Sequence, residues 1–252
     1  MVNLSQLKLG KQAARHDPRT LMLASYLTTQ VPPPPPTVTW GKGVSTWPMY
    51  MNDKIGDCTC AAAGHMIESW TTDATGKTVV VPDEAILKAY EYLSGYNPVT
   101  KRNDNGANEL DVLKYWKATG VGGHTIVGFV AVEPGNHLHV QQAVYLFGGS
   151  YIGLALPVSA QSQMVWTVPP GGARGPGAPG SWGGHAVNVV EYDAQGLTVI
   201  TWGQPKRMTW TFWNVYCDEA YGLLTQDFID KNTKKAPQGF EFAALMKDLK
   251  TL

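Results

Sequence analysis

Two residues far apart in this 252-residue sequence could together perform nucleophilic catalysis. Cys58 opens an Ala-rich stretch, residues 58–70, whose pattern predicts a helix entered through Gly56 and Asp57. A thiol becomes a nucleophile when its pKa falls, and a helix N-terminus beside an imidazole lowers that pKa. His185 follows a Gly-Gly pair and begins a predicted strand. The two residues therefore predict a thiol nucleophile with a lowered pKa and a histidine base.

The elements that must position this pair divide the sequence into two unlike halves. Apolar residues recur at helical spacing in the first half, whereas they alternate in the second half as they do in strands. Helices are predicted over residues 58–70, 83–93, 109–118 and 140–147, and strands over 126–132, 151–157, 185–192, 197–202 and 207–213. A helical half followed by an antiparallel half predicts an α+β fold with a cleft between the two.

Several separate blocks of the sequence resemble the papain-like cysteine peptidases in residue type, order and spacing. These blocks are residues 38–52, Gly56-Asp57-Cys58, residues 109–121, residues 141–157, His185-Ala186-Val187 and Trp202-Gly203. Together they cover about residues 37 to 215. The resemblance implies a helical lobe and a sheet lobe with the active cleft between them, and it implies an intracellular type of member because the disulfide cysteines of secreted members are absent.

The family resemblance also implies a chemistry and a residue for each step. Cys58 would attack a peptide or amide carbonyl to form an acyl-enzyme, and His185 would act as base and acid. Asn52 stands six positions before Cys58, where the family has its oxyanion Gln. The expected enzyme is a cysteine peptidase that acts on peptide or protein substrates.

The residue that would orient His185 departs from the family pattern. The family's orienting Asn is missing, and Thr201, directly before Trp202, is the expected replacement, with Gln204 and Asp193 as alternatives. This departure keeps two other functions open. One is a papain-like binding or structural protein that has lost catalysis, and the other is a deamidase or transglutaminase-like acyl transferase on the same scaffold.

The segment 169–184 is rich in Gly and Pro and leads directly into His185. This composition predicts a loop, and its position predicts that the loop borders the cleft and governs substrate access. The expected substrate-binding residues are Arg174, Trp182, Gly183 and Gly184.

The domain organisation follows from the same patterns. Residues 1–36 are expected to form an N-terminal arm that includes a polyproline segment, and residues 37–252 the catalytic domain. Within that domain we expect a helical lobe at about 53–123, a sheet lobe at about 124–215 and a C-terminal helical segment at 216–252.

Composition and charge exclude several classes of partner. Lys plus Arg and Asp plus Glu number 20 each, so no global basic field favours nucleic acid or an anionic membrane. The three cysteines do not form a disulfide framework, and the first residues lack a signal-peptide pattern. We expect a cytoplasmic protein without a membrane segment, metal or cofactor.

Overall fold

The computed structural model describes residues 7–27, 31, 33–225 and 242–249, and it shows helices packed on one antiparallel sheet. The helices are α1 (Cys58–Thr75), α2 (Asp83–Ser94), α3 (Glu109–Ala118), α4 (His137–Phe147), α5 (Trp210–Tyr216) and α6 (Phe242–Leu249). The strands are β1 (Val38–Thr39), β2 (Gly128–Ala131), β3 (Ser150–Leu156), β4 (Gly183–Tyr192), β5 (Gly196–Thr201), β6 (Gln204–Thr209) and β7 (Cys217–Leu224). The predicted α+β class is confirmed.

The sheet separates two hydrophobic cores. Its strand order is β2-β7-β3-β4-β5-β6, with β1 paired to β4, and each pairing is antiparallel. Successive side chains of a strand point to opposite faces. Ala186 therefore packs into the core formed with α1, α2 and α3, whereas Val187 packs into the core formed with α4 and α5.

Helix α1 carries Cys58 and is buried along most of its length against β4. Small side chains at Ala61, Ala62 and Ala63 allow this close packing. The helix continues beyond the predicted end at residue 70, and threonine hydroxyls in this part bond to carbonyls one turn earlier, as Thr72 does to Glu68 at 2.7 Å. It ends where Gly76 adopts a left-handed conformation.

The second half differs from the sequence prediction at two places. The strand predicted over residues 207–213 ends at Thr209, whose hydroxyl accepts a hydrogen bond from Phe212 N–H and so caps helix α5. Residues 217–224, expected within a C-terminal helical segment, form β7 inside the sheet, and helix is seen again at α6. Strand β7 is buried on both faces and lacks the alternation that identifies a strand.

Residues 7–27, which belong to the predicted N-terminal arm, pack against the rest of the domain. Leu23 and Tyr26 are buried in the core beside α4, and the Tyr26 hydroxyl donates to Asp248 Oδ2 of α6 at 2.8 Å. Pro32 of the polyproline segment lies outside the described residues. In the ranges that the structure describes, no helix combines the length and apolar character needed to cross a bilayer.

Candidate functional site

Cys58 is the first residue of α1 and lies against the start of β4. The backbone N–H of Ala186 donates to Cys58 Sγ at 3.5 Å, which places the sulfur beside the residue that follows His185. Cys58 is 1% exposed. The structure therefore brings Cys58 to the residue next to His185 in the sequence, although 126 residues separate the two along the chain.

The register of β4 and β5 brings Thr201 to the imidazole of His185. Asn188 pairs with Ile200, so Thr201 and His185 lie on the same face, offset diagonally across the two strands. Thr201 Oγ1 and His185 Nε2 are 2.6 Å apart and form a hydrogen bond. The other ring nitrogen, Nδ1, has no hydrogen-bond partner among the described residues.

A tight hairpin turn between β5 and β6 covers this hydrogen bond. Trp202 and Gly203 both have positive φ, 46° and 71°, as a two-residue turn of type I′ requires. This turn lays the Trp202 ring over the His185 ring, with 4.3 Å between ring centroids and 15° between planes. The stacked indole keeps water away from one face of the imidazole.

The other residues expected near the pair occupy different positions. Asn52 is buried in the turn before α1, where its side-chain amide donates to the Ile55 carbonyl at 3.3 Å. Asp193 lies in the turn after β4 and pairs with Arg207. Gln204 is exposed at the start of β6. Of the three residues considered as orienters, the structure places Thr201 in contact with His185.

Residues 7–12, which we call the cleft segment, run across the Cys58 and His185 pair. The segment is extended and is held on several sides by main-chain hydrogen bonds. These bonds are Lys8 N to Asn52 O at 3.1 Å, Ala107 N to Gly10 O at 2.8 Å, Lys11 N to Gly184 O at 3.0 Å and Gln12 N to Ala107 O at 3.0 Å. The sequence predicts this segment only as part of an N-terminal arm, and nothing in its residue types indicates that it binds in the cleft.

Glycines make this close backbone contact possible. A Cβ placed on Gly10 would lie 1.7 Å from the carbonyl oxygen of Gly56, and one on Gly184 would lie 2.2 Å from the carbonyl oxygen of Lys11. Neither position can accept a side chain unless the backbone moves. The backbone of the cleft segment therefore lies in direct contact with the backbone on both walls of the cleft.

With the cleft segment in place, the pKa of the Cys58 thiol shifts in the direction opposite to the one expected. Burial raises the pKa of Cys58 to about 12, although the N–H groups of Ala186 and Gly10, which donate to the sulfur, act in the opposite direction. Burial also lowers the pKa of His185 to about 3, with a smaller contribution from His65. The sequence-based expectation of a lowered thiol pKa is wrong for this closed conformation, because the covering segment excludes the water that would stabilise both charges.

The geometry also explains why the thiol can lie against a peptide backbone without reacting with it. Gly10 presents its N–H to Cys58 Sγ, whereas its carbonyl oxygen accepts the bond from Ala107 N–H. A nucleophile must approach a carbonyl carbon along an open path. At Gly10 the sulfur meets a donor instead of an acceptor carbon.

The segment 169–184, predicted as a loop, reaches the cleft only at its end, where Gly183 and Gly184 already belong to β4. Gly184 bonds to Lys11 of the cleft segment, and a Cβ on Gly183 would meet the Leu9 side chain at 2.9 Å. Trp182 packs on Trp202 with 5.5 Å between ring centroids. Arg174 is exposed and has no hydrogen bond or ion pair to the cleft among the described residues.

Comparison with solved structures shows that several cysteine proteases have a similar fold. Xylellain, a cysteine protease from Xylella fastidiosa, is similar with a TM-score of 0.65 and 14% identity over 87% of this chain and 97% of that one. Digestive procathepsin L 3 of Tenebrio molitor is similar with a TM-score of 0.60 and 13% identity over 88% and 77% of the two chains. The Carica candamarcensis protease CMS1MS2 is similar with a TM-score of 0.54 and 14% identity over 76% and 99%.

At the level of sequence, no protein-family model matches this chain, and neither does any curated protein. The structural similarity therefore shows the fold, which is papain-like, as the resemblance in the sequence implied.

The contact between Gly10 and Gly56 predicts how the cleft can be opened. Gly10→Ala places a methyl group on the Gly56 carbonyl and should displace the cleft segment, so iodoacetamide should alkylate Cys58 about tenfold faster or more at near-neutral pH. Gly135→Ala is the matched control, because a Cβ there meets no atom within 4 Å. Mass spectrometry of the alkylated peptides measures the rate, and equal rates in the two variants would contradict the role of the contact.

Proposed function

We propose that this chain is a cysteine peptidase, a thiol hydrolase of peptide or amide bonds, whose cleft is closed by its own residues 7–12. The observation that carries the proposal is the extended backbone bound beside Cys58 and His185, hydrogen-bonded to Ala107 on one side and Gly184 on the other. A cleft that binds one extended polypeptide backbone in this way offers the same donors and acceptors to another. The papain-like fold supports the same class of chemistry.

Catalysis requires the cleft segment to leave and water to enter. Cys58, at the N-terminus of α1 and next to the Ala186 N–H, can then lose its proton to His185, because solvation and the imidazolium stabilise the thiolate. The thiolate attacks the substrate carbonyl, and the Cys58 backbone N–H receives the oxyanion. The Asn52 amide can contribute a second donor by releasing the Ile55 carbonyl.

The second half of the reaction returns each group to its starting state. His185 gives its proton to the leaving amine as the C–N bond breaks, which leaves an acyl group on Cys58 Sγ. His185 then takes a proton from water, the resulting hydroxide attacks the thioester carbonyl, and the thiolate is released with the carboxylic acid. Atoms and charges balance over the cycle without a cofactor.

Thr201 acts as a positioning residue in this proposal. When His185 Nε2–H donates to Thr201 Oγ1, Nδ1 is left to exchange the proton with Cys58. A hydroxyl holds the ring orientation but adds no negative charge, so it stabilises the imidazolium less than a carboxylate does. The covering Trp202 ring restricts the imidazole further.

The function is tested with the Gly10→Ala chain and an unfolded polypeptide such as reduced, carboxymethylated casein. New amino termini should appear, and Cys58→Ala in the same background should abolish them. Cys60→Ala should cleave like the parent, because Cys60 is the third residue of α1 and is buried in the hydrophobic core. Release of ammonia from glutamine without new amino termini would favour a deamidase. No turnover in an opened, folded chain would favour a binding protein that has lost catalysis.

The role of Thr201 is tested by Thr201→Val in the Gly10→Ala chain. Loss of the hydroxyl removes the 2.6 Å bond to His185, so kcat should fall about tenfold to a hundredfold with little change in KM. Thr201→Ser should restore most of the loss. Asp193→Ala and Gln204→Ala should cleave like the parent, and a loss of kcat in either of them instead of Thr201→Val would contradict the assignment.

A further inference from the structure

A buried lysine of the cleft segment lies in a pocket of carboxylates. The Lys11 ammonium is 2.9 Å from Asp218 Oδ2 and 2.9 Å from Glu219 Oε1, and its side chain is 1% exposed. Glu109, at the start of α3, is fully buried and is the largest attractive charge acting on this ammonium. We call the site formed by Glu109, Gly153, Asp218 and Glu219 the acidic pocket.

A bulge in the sheet gives the acidic pocket two consecutive acidic residues. Neighbouring residues of a regular strand point to opposite faces, so Asp218 and Glu219 would not normally reach the same group. The pairing of β3 with β7 shifts register at this point, since Gly153 pairs with Glu219 but Leu154 pairs with Cys217. The extra residue in β7 lets both carboxylates contact Lys11.

Gly153 provides the space for a long side chain. A Cβ at this position would lie 2.0 Å from Lys11 Cε and within 3 Å of atoms of both Asp218 and Glu219. The acidic pocket is therefore deep enough for a lysine stem because β3 carries no side chain there. The Tyr221 hydroxyl, which donates to Glu219 Oε2 at 2.9 Å, holds the second carboxylate in place.

The acidic pocket places three carboxyl groups, those of Glu109, Asp218 and Glu219, around the single ammonium of Lys11. Burial by itself lowers the pKa of Lys11, but Glu109, Glu219 and Asp218 together reverse this and raise the pKa above its ordinary value. Burial and the charge of Glu219 raise the pKa of Glu109, whose two carboxylate oxygens have no hydrogen-bond partner among the described residues. Such a site loses much of its stability when the cation is removed.

The position of the acidic pocket connects it to the cleft. Lys11 N–H donates to the carbonyl of Gly184, the residue directly before His185, and the Asp218 side chain is one-third exposed. Within the described ranges, no group of His, Cys, Asp and Glu side chains is arranged to hold a metal ion. Because the acidic pocket already holds the Lys11 ammonium, its complementary ligand is an ammonium or guanidinium on an extended polypeptide.

We propose that the acidic pocket is a specificity pocket that selects substrates carrying a Lys or Arg side chain, and that Lys11 occupies it in the closed conformation as a substrate side chain would. That the bound peptide is a substrate rests on the proposed function, but the binding preference can be measured without catalysis.

The test uses the full chain with Gly10→Ala to open the cleft and Cys58→Ala to prevent turnover. The probe is a fluorescein-labelled, amidated peptide with the sequence of residues 7–14, carrying Lys, Arg, norleucine or Glu at the position of Lys11. Fluorescence anisotropy gives each Kd. We expect Lys and Arg to bind about tenfold or more tighter than norleucine, and Glu to bind weakest, because only a cation compensates the buried carboxylates.

Matched variants assign the preference to the acidic pocket. Glu109→Gln, Asp218→Asn and Glu219→Gln each keep the shape of the side chain. The chain with all three changes should show a preference for Lys over norleucine of about twofold or less. Gly153→Ala should weaken binding of both peptides, because it fills the pocket. Lys11→Met in place of Gly10→Ala provides a second way to open the cleft if the first variant does not fold.

The outcomes separate the pocket from the catalytic proposal. Equal affinity for Lys and norleucine, a preference that survives the three neutral substitutions, or no binding by either opened chain would each overturn the specificity pocket. Preference for Lys together with no cleavage of any polypeptide by the Gly10→Ala chain that retains Cys58 would support the pocket and reject the peptidase.

Discussion

The backbone contact between the cleft segment and the glycines at 56 and 184 controls most of the chemistry in this structure. It holds residues 7–12 beside Cys58 and His185, and the backbones are so close that position 10 or 184 has no room for a side chain. Water is excluded as a result, so the thiol and the imidazole are both neutral, with pKa values moved to about 12 and about 3. The same seating directs Lys11 into the acidic pocket. The same backbone contact therefore keeps the Cys58 thiol neutral and keeps Lys11 in the acidic pocket.

The sheet provides the fixed half of the site. Strand register brings Thr201 to His185, and the hairpin turn at Trp202 and Gly203 places an aromatic ring over the imidazole. The bond between Thr201 and His185 does not involve the cleft segment, whereas the Trp202 indole N–H donates to the Lys8 carbonyl of that segment at 3.2 Å. Helix α1, packed on β4, holds Cys58 against this arrangement through the bond from Ala186 N–H. Opening the cleft changes the solvation of the pair and also releases the bonds that Lys8 and Lys11 make to Trp202 and Gly184.

Sequence reasoning succeeded where local pattern and spacing carry the information. The Ala-rich stretch and its Gly-Asp entrance place Cys58 at a helix start, and the short distance along the chain from His185 to Thr201 places both on adjacent strands of one hairpin. Helix α3 begins and ends at the predicted residues because Asn108 caps its start and Gly120 follows its end. The fold class follows from these local signals together with the family resemblance.

The rest depends on contacts that a single sequence does not encode locally. Residues 7–12 carry no signal for the cleft that they occupy, because their partners Ala107 and Gly184 lie about a hundred residues or more away. Strand β7 was expected to belong to a helical segment, since a strand buried on both faces has no alternation. The acidic pocket depends on a register shift in that same strand, and a shift of one residue leaves no mark in composition.

Thiolate absorbance in the ultraviolet, followed by pH titration, tests most directly whether the cleft segment keeps a competent nucleophile neutral. The wild-type chain should show no thiolate from Cys58 at mildly acidic or neutral pH, because its thiol pKa is about 12. The Gly10→Ala chain should show about one thiolate equivalent in that range, and that signal should disappear with either Cys58→Ala or His185→Ala. An opened chain without a thiolate at neutral pH, or with one that survives Cys58→Ala, would contradict the account.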